Sequence, residues 1–267
     1  MAIPEVIKGL LENGVHFGHL SKHWNPKMKR FIFGKKKNIY IIDLEKTEQQ
    51  LNEAKDFMRK IIAEGKQVLF VSTKKQLKEL VRELAVSCAM PYVIERWVGG
   101  FLTNFETIQS RVRKYISLLE KRESGELDKL PGKERVRVNR DITRLEKNYK
   151  GIVDMRGLPG AIYVIDPKKE SACVKEAKKL GIPVIGLIDT DADPEMLDCP
   201  IPGNDDAIKS VRYITSFIVD VIKETVGNIK KEKETVVPLQ ENEEKKDEET
   251  QADNLNVDSV KEDGPDA

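Results

Sequence analysis

The sequence has few cysteines and no long apolar run. Its three cysteines, Cys88, Cys173 and Cys199, lie far apart and include no CxxC pair. This spacing argues against a disulfide framework or a zinc finger and is typical of small buried residues in a reducing compartment. No apolar run approaches the roughly 20 residues that cross a bilayer, and residues 1–14 lack the charged-then-apolar order of a signal peptide. We therefore predict a cytoplasmic protein without a membrane partner.

The sequence motifs of common nucleotide-binding and hydrolytic enzymes are also missing. No GxxxxGK(S/T) occurs, because Gly132-Lys133 is followed by Glu134 and Gly125 is wrongly spaced. No GxGxxG follows a predicted strand, and no GxSxG turn is present. We therefore predict no enzyme, no required cofactor and no small-molecule substrate. An α/β enzyme that binds a nucleotide at another kind of site stays the alternative, because fold alone does not decide function.

Charge is distributed unevenly along the chain. Residues 228–267 contain 6 Lys and 13 Asp/Glu, a net charge of 6 − 13 = −7, so residues 1–227 have 40 Lys/Arg, 32 Asp/Glu and a net charge of +8. A basic body with an acidic tail is common among proteins that bind nucleic acid, although such tails also act as solubilisers. The tail has too little apolar surface to offset its ordering entropy, so we predict that it is disordered.

Continuous apolar runs predict the strands of the body. The runs at 68–72 (VLFVS), 161–166 (AIYVID) and 183–189 (PVIGLID) are typical of parallel strands covered on both faces, and 38–43 (NIYIID) is a fourth predicted strand. Helical patterns follow them, the first with a capping box at Thr47 and Gln50. Asp166-Pro167 is predicted to cap a helix over 171–180, and 204–226 is the last helix. Alternating strands and helices predict a three-layer α/β fold with a parallel sheet.

The alternation stops between about residues 103 and 153. Apolar residues step by three and four along two stretches, from Phe105 to Leu119 and from Val138 to Ile152, with turn residues between them. This pattern predicts a protruding helical hairpin that pairs as a short coiled coil. We assign 105–152 to the hairpin, 1–104 and 153–227 to the body, and 228–267 to the tail.

Residues 11–36 are the most informative segment. They hold all three histidines and six Lys/Arg, with Lys37 directly after them, against one acidic residue, Glu12. Cations attract phosphate, while Phe17, Trp24 and Phe31 are able to pack on sugars or bases. The segment therefore predicts a surface for folded nucleic acid. The alternative is that its aromatic residues belong to the core and its lysines are only solvated.

Two further patterns suggest ligands. Ser72, Thr73 and the following lysines come after a predicted strand, where the amides at a helix N-terminus favour an anion. His19, together with Asp189 and Asp205, supplies the one imidazole and two carboxylates of a possible Zn²⁺ site, with Asp206 or water as fourth ligand. In the competing interpretation His19 donates a hydrogen bond to Asp189, the carboxylates cap the last helix, and no ion binds.

Taken together, six blocks resemble the small-subunit ribosomal protein two family of bacteria and organelles. The blocks are GVHFGH (14–19), WNPKMKRFIFG (24–34), RWVGGFLTNF (96–105), GLPGAIYVID (157–166), GIPVIGLIDTDADP (181–194) and IPGNDDAI (201–208), and the resemblance spans residues 4–226. The family implies a flavodoxin-like sheet with a protruding coiled-coil hairpin. It also implies binding to small-subunit rRNA near the junction of head and body, with docking of small-subunit protein one for mRNA capture.

The resemblance and the basic segment together suggest a set of RNA-binding residues within a ribosome. The candidates are Lys22, Trp24, Lys27, Lys29, Arg30, Lys35, Lys36, Lys37, Lys74, Arg96 and Asn104. The residues after Val226 lie outside the resemblance, so no function is carried over to them.

Overall fold

A computed structural model describes residues 4–229 of the chain. Residues 4–223 form one compact unit, and residues 224–229, which are helical, belong to a second. The disordered tail predicted for 228–267 lies outside the described residues, except that 228 and 229 are helical. No helix in the described part is long and apolar enough to span a membrane.

The centre of the first unit is a parallel sheet of five strands. The strands are β4 (Val68–Val71), β5 (Tyr92–Val93), β6 (Ala161–Ile165), β7 (Val184–Ile188) and β8 (Cys199–Pro202), in the order β5-β4-β6-β7-β8. Counted from β4 as the first, this is the 2-1-3-4-5 order of flavodoxin-like folds. The predicted α/β class with a parallel sheet is therefore confirmed.

Two of the five strands were missed from sequence. β5 has only two residues, too few for a pattern. β8 has the sequence CPIP, and proline usually argues against a strand because it has no N–H to donate to the ladder. β8 tolerates its prolines because it lies at the edge of the sheet.

Both faces of the sheet are covered, because side chains alternate along each strand. On one face Leu69, Ile162 and Val184 join a buried cluster with Val174 and Ala177 of α6 (Ser171–Lys179). On the other face Phe70 and Tyr163 are in ring contact at 5.4 Å. The Tyr163 hydroxyl lies 3.2 Å from the hydroxyl of Thr215 in the last helix, α7, which spans 208–223 in this unit. This arrangement is the three-layer sandwich expected from the alternation.

A second, smaller sheet is antiparallel. It contains β1 (Phe17–Leu20), β2 (Ile32–Lys36) and β3 (Ile39–Ile42) in the order β1-β3-β2, after the short N-terminal helix α1 (Glu5–Glu12). The strand expected at 38–43 exists, but it pairs here and not in the main sheet. His19 lies in β1, which places it on an extended strand.

Two helix starts and one helix cap differ from the sequence prediction. α2 (Leu44–Ala63) is capped by Asp43, whose side chain accepts the Glu45 N–H at 3.1 Å. The Thr47 hydroxyl instead donates to the Pro202 carbonyl at 2.8 Å, so the predicted capping box is not the start. α6 begins at Ser171 as predicted, but Asp166 is not its cap: Asp166, with φ of 64°, accepts the Lys169 N–H in the turn before the helix. α7 begins at 208, after a turn in which the Asn204 side chain accepts the Asp206 and Ala207 N–H groups.

The remaining helices are α3 (Lys78–Ser87), α4 (Phe105–Glu123) and α5 (Gly132–Tyr149). Helices α4 and α5 occupy the two predicted helical stretches, and six of their apolar side chains are buried: Ile108, Val112, Tyr115, Ile142, Leu145 and Tyr149. These six belong to the same cluster as Leu69 and Val71 of the main sheet. The base of the hairpin is therefore continuous with the body's core, whereas supercoiling and protrusion of the hairpin stay predictions.

All three cysteines are free thiols with buried side chains. Burial raises the pKa of Cys88 and of Cys199 to about 11. It also raises the pKa of Cys173 well above its ordinary value. The sequence prediction of small buried cysteines is thereby confirmed.

Candidate functional site

The N-terminal segment lies against the loop after β7. Gly18 permits the approach, because a Cβ there would lie 2.6 Å from Cγ2 of Thr190. The His19 N–H donates to the Thr190 hydroxyl at 2.8 Å, and the Asn25 N–H donates to the Thr190 carbonyl at 2.8 Å. These contacts bring the His19 imidazole next to Asp189, with Nδ1 3.1 Å from Oδ2. The distance suits an ion pair, although the angles are too poor for a hydrogen bond.

Lys74 lies at the centre of a group of carboxylates. Its ammonium nitrogen lies 2.7 Å from Oδ1 of Asp205, 2.8 Å from Oδ1 of Asp206 and 3.1 Å from Oδ2 of Asp166. Lys74 and Asp205 are buried, whereas Asp206 is more than half exposed. We call Lys74, Asp166, Asp205 and Asp206, with His19 and Asp189, the carboxylate cluster.

The pKa shifts in the carboxylate cluster follow from burial and close charges. The Asp189 carboxylate raises the pKa of His19 to about 9, against the opposing effect of burial. Burial, and then repulsion from Asp189, raises the pKa of Asp205 to about 8, although the Lys74 ammonium opposes this. Burial also lowers the pKa of Lys74, but attraction to Asp205 outweighs it, and the net shift is upward. Lys74 and His19 are therefore charged at neutral pH.

Every member of the carboxylate cluster except Asp189 lines a cavity of about 440 Å³ at the carboxyl ends of β4 and β6. In a flavodoxin-like sheet this is the point where strand order reverses and where ligands bind. Here four aspartates, Asp166, Asp191, Asp205 and Asp206, line the cavity. Lys75 and Lys169 also line it, but the buried cation, Lys74, is already held by the protein's own carboxyl groups. Lys74 is therefore not free for the phosphates of a nucleotide, which the alternative enzyme would bind.

The structure brings His19, Asp189 and Asp205 to one edge of the sheet. Imidazole and carboxylate are donor types that zinc accepts. Yet no group of three or more His, Cys, Asp or Glu side chains between residues 4 and 229 is arranged to hold a metal ion. The predicted ligands face Lys74 and each other, and neither Asp189 nor Asp205 caps the last helix.

The predicted basic segment is largely exposed. Lys22, Lys29 and Arg30 extend into solvent, as do the consecutive lysines Lys35, Lys36 and Lys37 at the turn between β2 and β3. Lys37 and Asn38 have φ of 47° and 65°, the left-handed backbone of a tight turn. These cations form a basic ridge: Lys22, Lys29, Arg30, Lys35, Lys36 and Lys37.

Two of the predicted RNA-binding cations are already paired inside the protein. Lys27 is exposed but contacts Asp193 at 2.8 Å and also Glu195. Lys74 is buried among the carboxylates described above. Neither ammonium is free for a phosphate in this conformation, and RNA contact by these two lysines stays a prediction.

The aromatic residues of the segment divide between core and surface. Phe31 is buried, as expected if the aromatic residues belong to the core. Phe17, however, is 48% exposed and Phe33 is 80% exposed. The Trp24 ring packs on Tyr40 at 4.8 Å and is half-buried. Flat aromatic surface is therefore available beside the basic ridge.

Arg96 and Asn104 flank a loop. The residue that holds this loop in place could not be recognised from the sequence. Glu176 of α6 accepts five hydrogen bonds from this loop: from the Trp97 indole at 3.0 Å, the Gly100 and Leu102 N–H groups at 2.9 Å, and the Thr103 N–H and hydroxyl. Burial alone would raise the pKa of Glu176, but these donors lower it. The only sequence signal for this role was the position of a charged residue within the predicted helix over 171–180, next to apolar residues of that helix.

Comparison with known proteins agrees with this architecture. The family model described as ribosomal protein S2 matches residues 10–225, most of the chain. The small ribosomal subunit protein uS2 of Coprothermobacter proteolyticus is 53% identical over 218 residues, covering 82% of this chain and 81% of that protein. The parallel sheet, the basic ridge and these matches together show that the chain belongs to the ribosomal protein S2 family.

Proposed function

We propose that this protein is a structural constituent of the small ribosomal subunit and binds small-subunit rRNA. The observation that carries the proposal is the family match over residues 10–225. The basic ridge supports it, since exposed lysines and an arginine beside exposed rings suit a phosphate backbone and its bases.

The ridge is the part of the surface that we assign to rRNA contact. Its cations are exposed, and Trp24 and Phe33 lie on the same segment. Phosphate contacts of this kind fix position and orientation on RNA without reading sequence. The basic ridge therefore anchors the protein on the rRNA, near the junction between the head and the body of the small subunit that the family resemblance implies.

The protein also contributes to docking of small-subunit protein one for mRNA capture. This part of the proposal comes from the family resemblance. It is tested separately, by asking whether small subunits lacking this chain fail to retain protein one and regain it when the chain is supplied.

Sedimentation tests the main proposal. Full-length tagged protein is expressed at low level, and the cell extract is resolved on a sucrose gradient. We expect the protein to sediment with the cytoplasmic small subunits at about one copy per subunit. High salt should release it, because salt weakens the contacts between its cations and the rRNA phosphates. Protein that stays at the top of the gradient while untagged subunits sediment normally would refute the proposal.

Zinc binding by His19, Asp189 and Asp205 stays a prediction. Elemental analysis of full-length protein purified without an affinity tag decides it. About one zinc per chain that is lost in His19→Ala would support the site, and below about 0.1 zinc per chain, an allowance for loss from a partly open site, would remove it. Binding of zinc would also require Lys74 to move, since its ammonium lies among the carboxylates.

A further inference from the structure

A second basic surface lies at the base of the helical hairpin. The loop after β5 and one side of α5 enclose a cavity of about 620 Å³ lined by Arg96, Arg140, Thr143, Arg144 and Lys147, among others. A neighbouring cavity of about 480 Å³ lies between the same loop, α4 and α5, and includes Arg111. Both cavities are lined by Arg144 and Asn148, so they adjoin each other, and we call the two together the groove.

The charges in this groove differ from those of the carboxylate cluster. Arg96, Arg111, Arg140 and Lys147 are exposed, and none of the four has an ion pair within residues 4–229. The only carboxylate lining the larger cavity, Glu95, is paired with Lys78. The groove therefore presents a nearly uncompensated positive charge.

The neutral residues of the groove suit the same ligand. Asn139, Thr143 and Asn148 line the larger cavity and supply hydrogen-bonding groups of the kind that contact phosphate and ribose. Val136, half exposed at the same cavity, offers an apolar contact for a sugar or base. A protein partner would need carboxylates spaced along one chain to match four cations, whereas an RNA backbone supplies a phosphate at every nucleotide.

The wall of the groove that carries Arg96 is fixed before any ligand arrives. Glu176 holds the backbone of residues 100–103 and the Trp97 indole next to it. Trp97 in turn packs on Phe101 at 4.6 Å between ring centroids. A wall that is already ordered loses little conformational entropy on binding, so more of the interaction free energy appears as affinity.

We infer that this groove binds the RNA phosphate backbone as a second rRNA contact, separate from the basic ridge. The inference rests on the proposed rRNA binding and extends it to residues 96–148. Arg96, Arg111, Arg140 and Lys147 neutralise phosphates, and the loop and α5 position them.

Two variants of equal charge test the inference. In the groove variant, Arg96, Arg111, Arg140 and Lys147 are each changed to Gln. In the matched variant, Arg113, Lys114, Arg122 and Arg137, exposed residues of α4 and α5 outside both cavities, are changed to Gln. Each full-length protein is titrated with a small-subunit rRNA transcript over a range of salt concentrations, after circular dichroism and thermal unfolding have shown equal folding.

We expect the groove variant to bind rRNA at least about tenfold more weakly than the matched variant at moderate salt. Its slope of log K against log salt should be shallower by about 3, since each lost phosphate contact removes about 0.7–0.9 from the slope. Equal affinity and slope for the two variants would overturn the inference. If wild-type protein does not bind rRNA at all, the proposed function fails and the groove inference fails with it.

A tethered probe gives a test that does not depend on affinity. The native thiols are buried, so a cysteine introduced by Asn139→Cys in the groove, or by Ser117→Cys outside both cavities, can be labelled selectively with an iron chelate. Hydroxyl radicals should cut a discrete set of rRNA nucleotides from position 139 and far fewer from position 117. Equal, diffuse cutting from both positions would overturn the inference. So would a groove variant that binds rRNA normally but fails to enter subunits, because the groove would then face a protein.

Discussion

Lys74 donates a hydrogen bond of 2.7 Å to Asp205 across 131 positions of sequence. The pair joins the end of β4 to the segment before α7 at the point where strand order reverses in the sheet. The same ammonium contacts Asp206 and Asp166, so one cation lies among three carboxyl groups. The site where flavodoxin-like proteins bind ligands is thus occupied by the protein's own ion pairs.

We therefore predict that Lys74→Met destabilises the protein without weakening its RNA affinity. Lys74→Met removes the donor that three carboxyl groups share, and breaking a buried pair of this kind costs about 3–5 kcal/mol in the free energy of unfolding. The folded fraction should still bind rRNA within about twofold of wild type, a difference of less than 0.5 kcal/mol. Urea unfolding and filter binding measure the two quantities. The exposed neighbour Lys75→Met is the control, and a stable Lys74→Met protein with much weaker binding would contradict the prediction.

The stability of the protein should fall as pH rises from about 6.5 to 9. The pKa of His19 is raised in the folded state from 6.5 to about 9, so its stabilisation is fully present below pH 6.5 and is lost as pH rises through 9. The pKa of Asp205 is raised from 3.8 to about 8, so its contribution to stability also falls as pH rises between those two values. Denaturant unfolding at pH 6.5, 8 and 9.5 should give a flatter profile for His19→Gln than for wild type. His23→Gln, which changes an exposed histidine, should keep the wild-type profile.

Charge reversal on the basic ridge should weaken rRNA binding and its salt dependence. In the variant with Lys35, Lys36 and Lys37 changed to Glu, the slope of log K against log salt should be shallower by about 2, since three phosphate contacts are lost. The matched control changes Lys60, Lys175 and Lys209 to Glu, three exposed lysines on α2, α6 and α7. An identical slope for the two variants would remove these three lysines from the RNA surface.

Loss of the Glu176 carboxylate should loosen the loop that carries Arg96. In Glu176→Gln one carboxylate oxygen becomes an NH₂ group, which faces N–H donors of the loop and cannot accept their hydrogen bonds. A buried donor left without a partner costs about 1–3 kcal/mol in stability. Hydrogen exchange at the Gly100 and Leu102 amides should accelerate, while the strand β6 amides change only through the global stability. Glu120→Gln, an exposed change in α4, is the control. Because the pKa of Glu176 is lowered in the folded state, its stabilisation is present above about pH 4.5 and is lost as pH falls through the folded value.

The outer part of the hairpin should be dispensable for folding, whereas its base should not. Replacing residues 116–141 with a short Gly-Ser linker keeps the six buried side chains of α4 and α5 that join the core and removes one other buried member of the same cluster, Leu127. We expect cooperative unfolding with a loss below about 2 kcal/mol, compared with about 2–5 kcal/mol for the single core change Ile142→Ala. A truncated protein that is insoluble or unfolds without cooperativity would show that the outer part stabilises the body.

The sequence alone determined the local features of this protein. Continuous apolar runs indicated β4, β6 and β7, because strands covered on both faces have no polar side. Stepped apolar residues indicated α4 and α5, because a helical stripe recurs every three or four residues. The exposed lysines of the ridge were also predictable, since charged side chains beside a turn remain in solvent.

Only the tertiary structure decided which polar groups meet. Lys74 looked like a free cation because its partners, Asp166 and Asp205, lie far away in sequence and meet it only where the sheet aligns three strand ends. Glu176 looked like one more surface charge until the fold placed five donors around it. β8 also could be recognised as a strand only in the completed sheet, because its prolines are tolerated only at a sheet edge. Short-range patterns record periodicity and propensity, whereas ion pairs and buried hydrogen bonds depend on distances that chain topology sets.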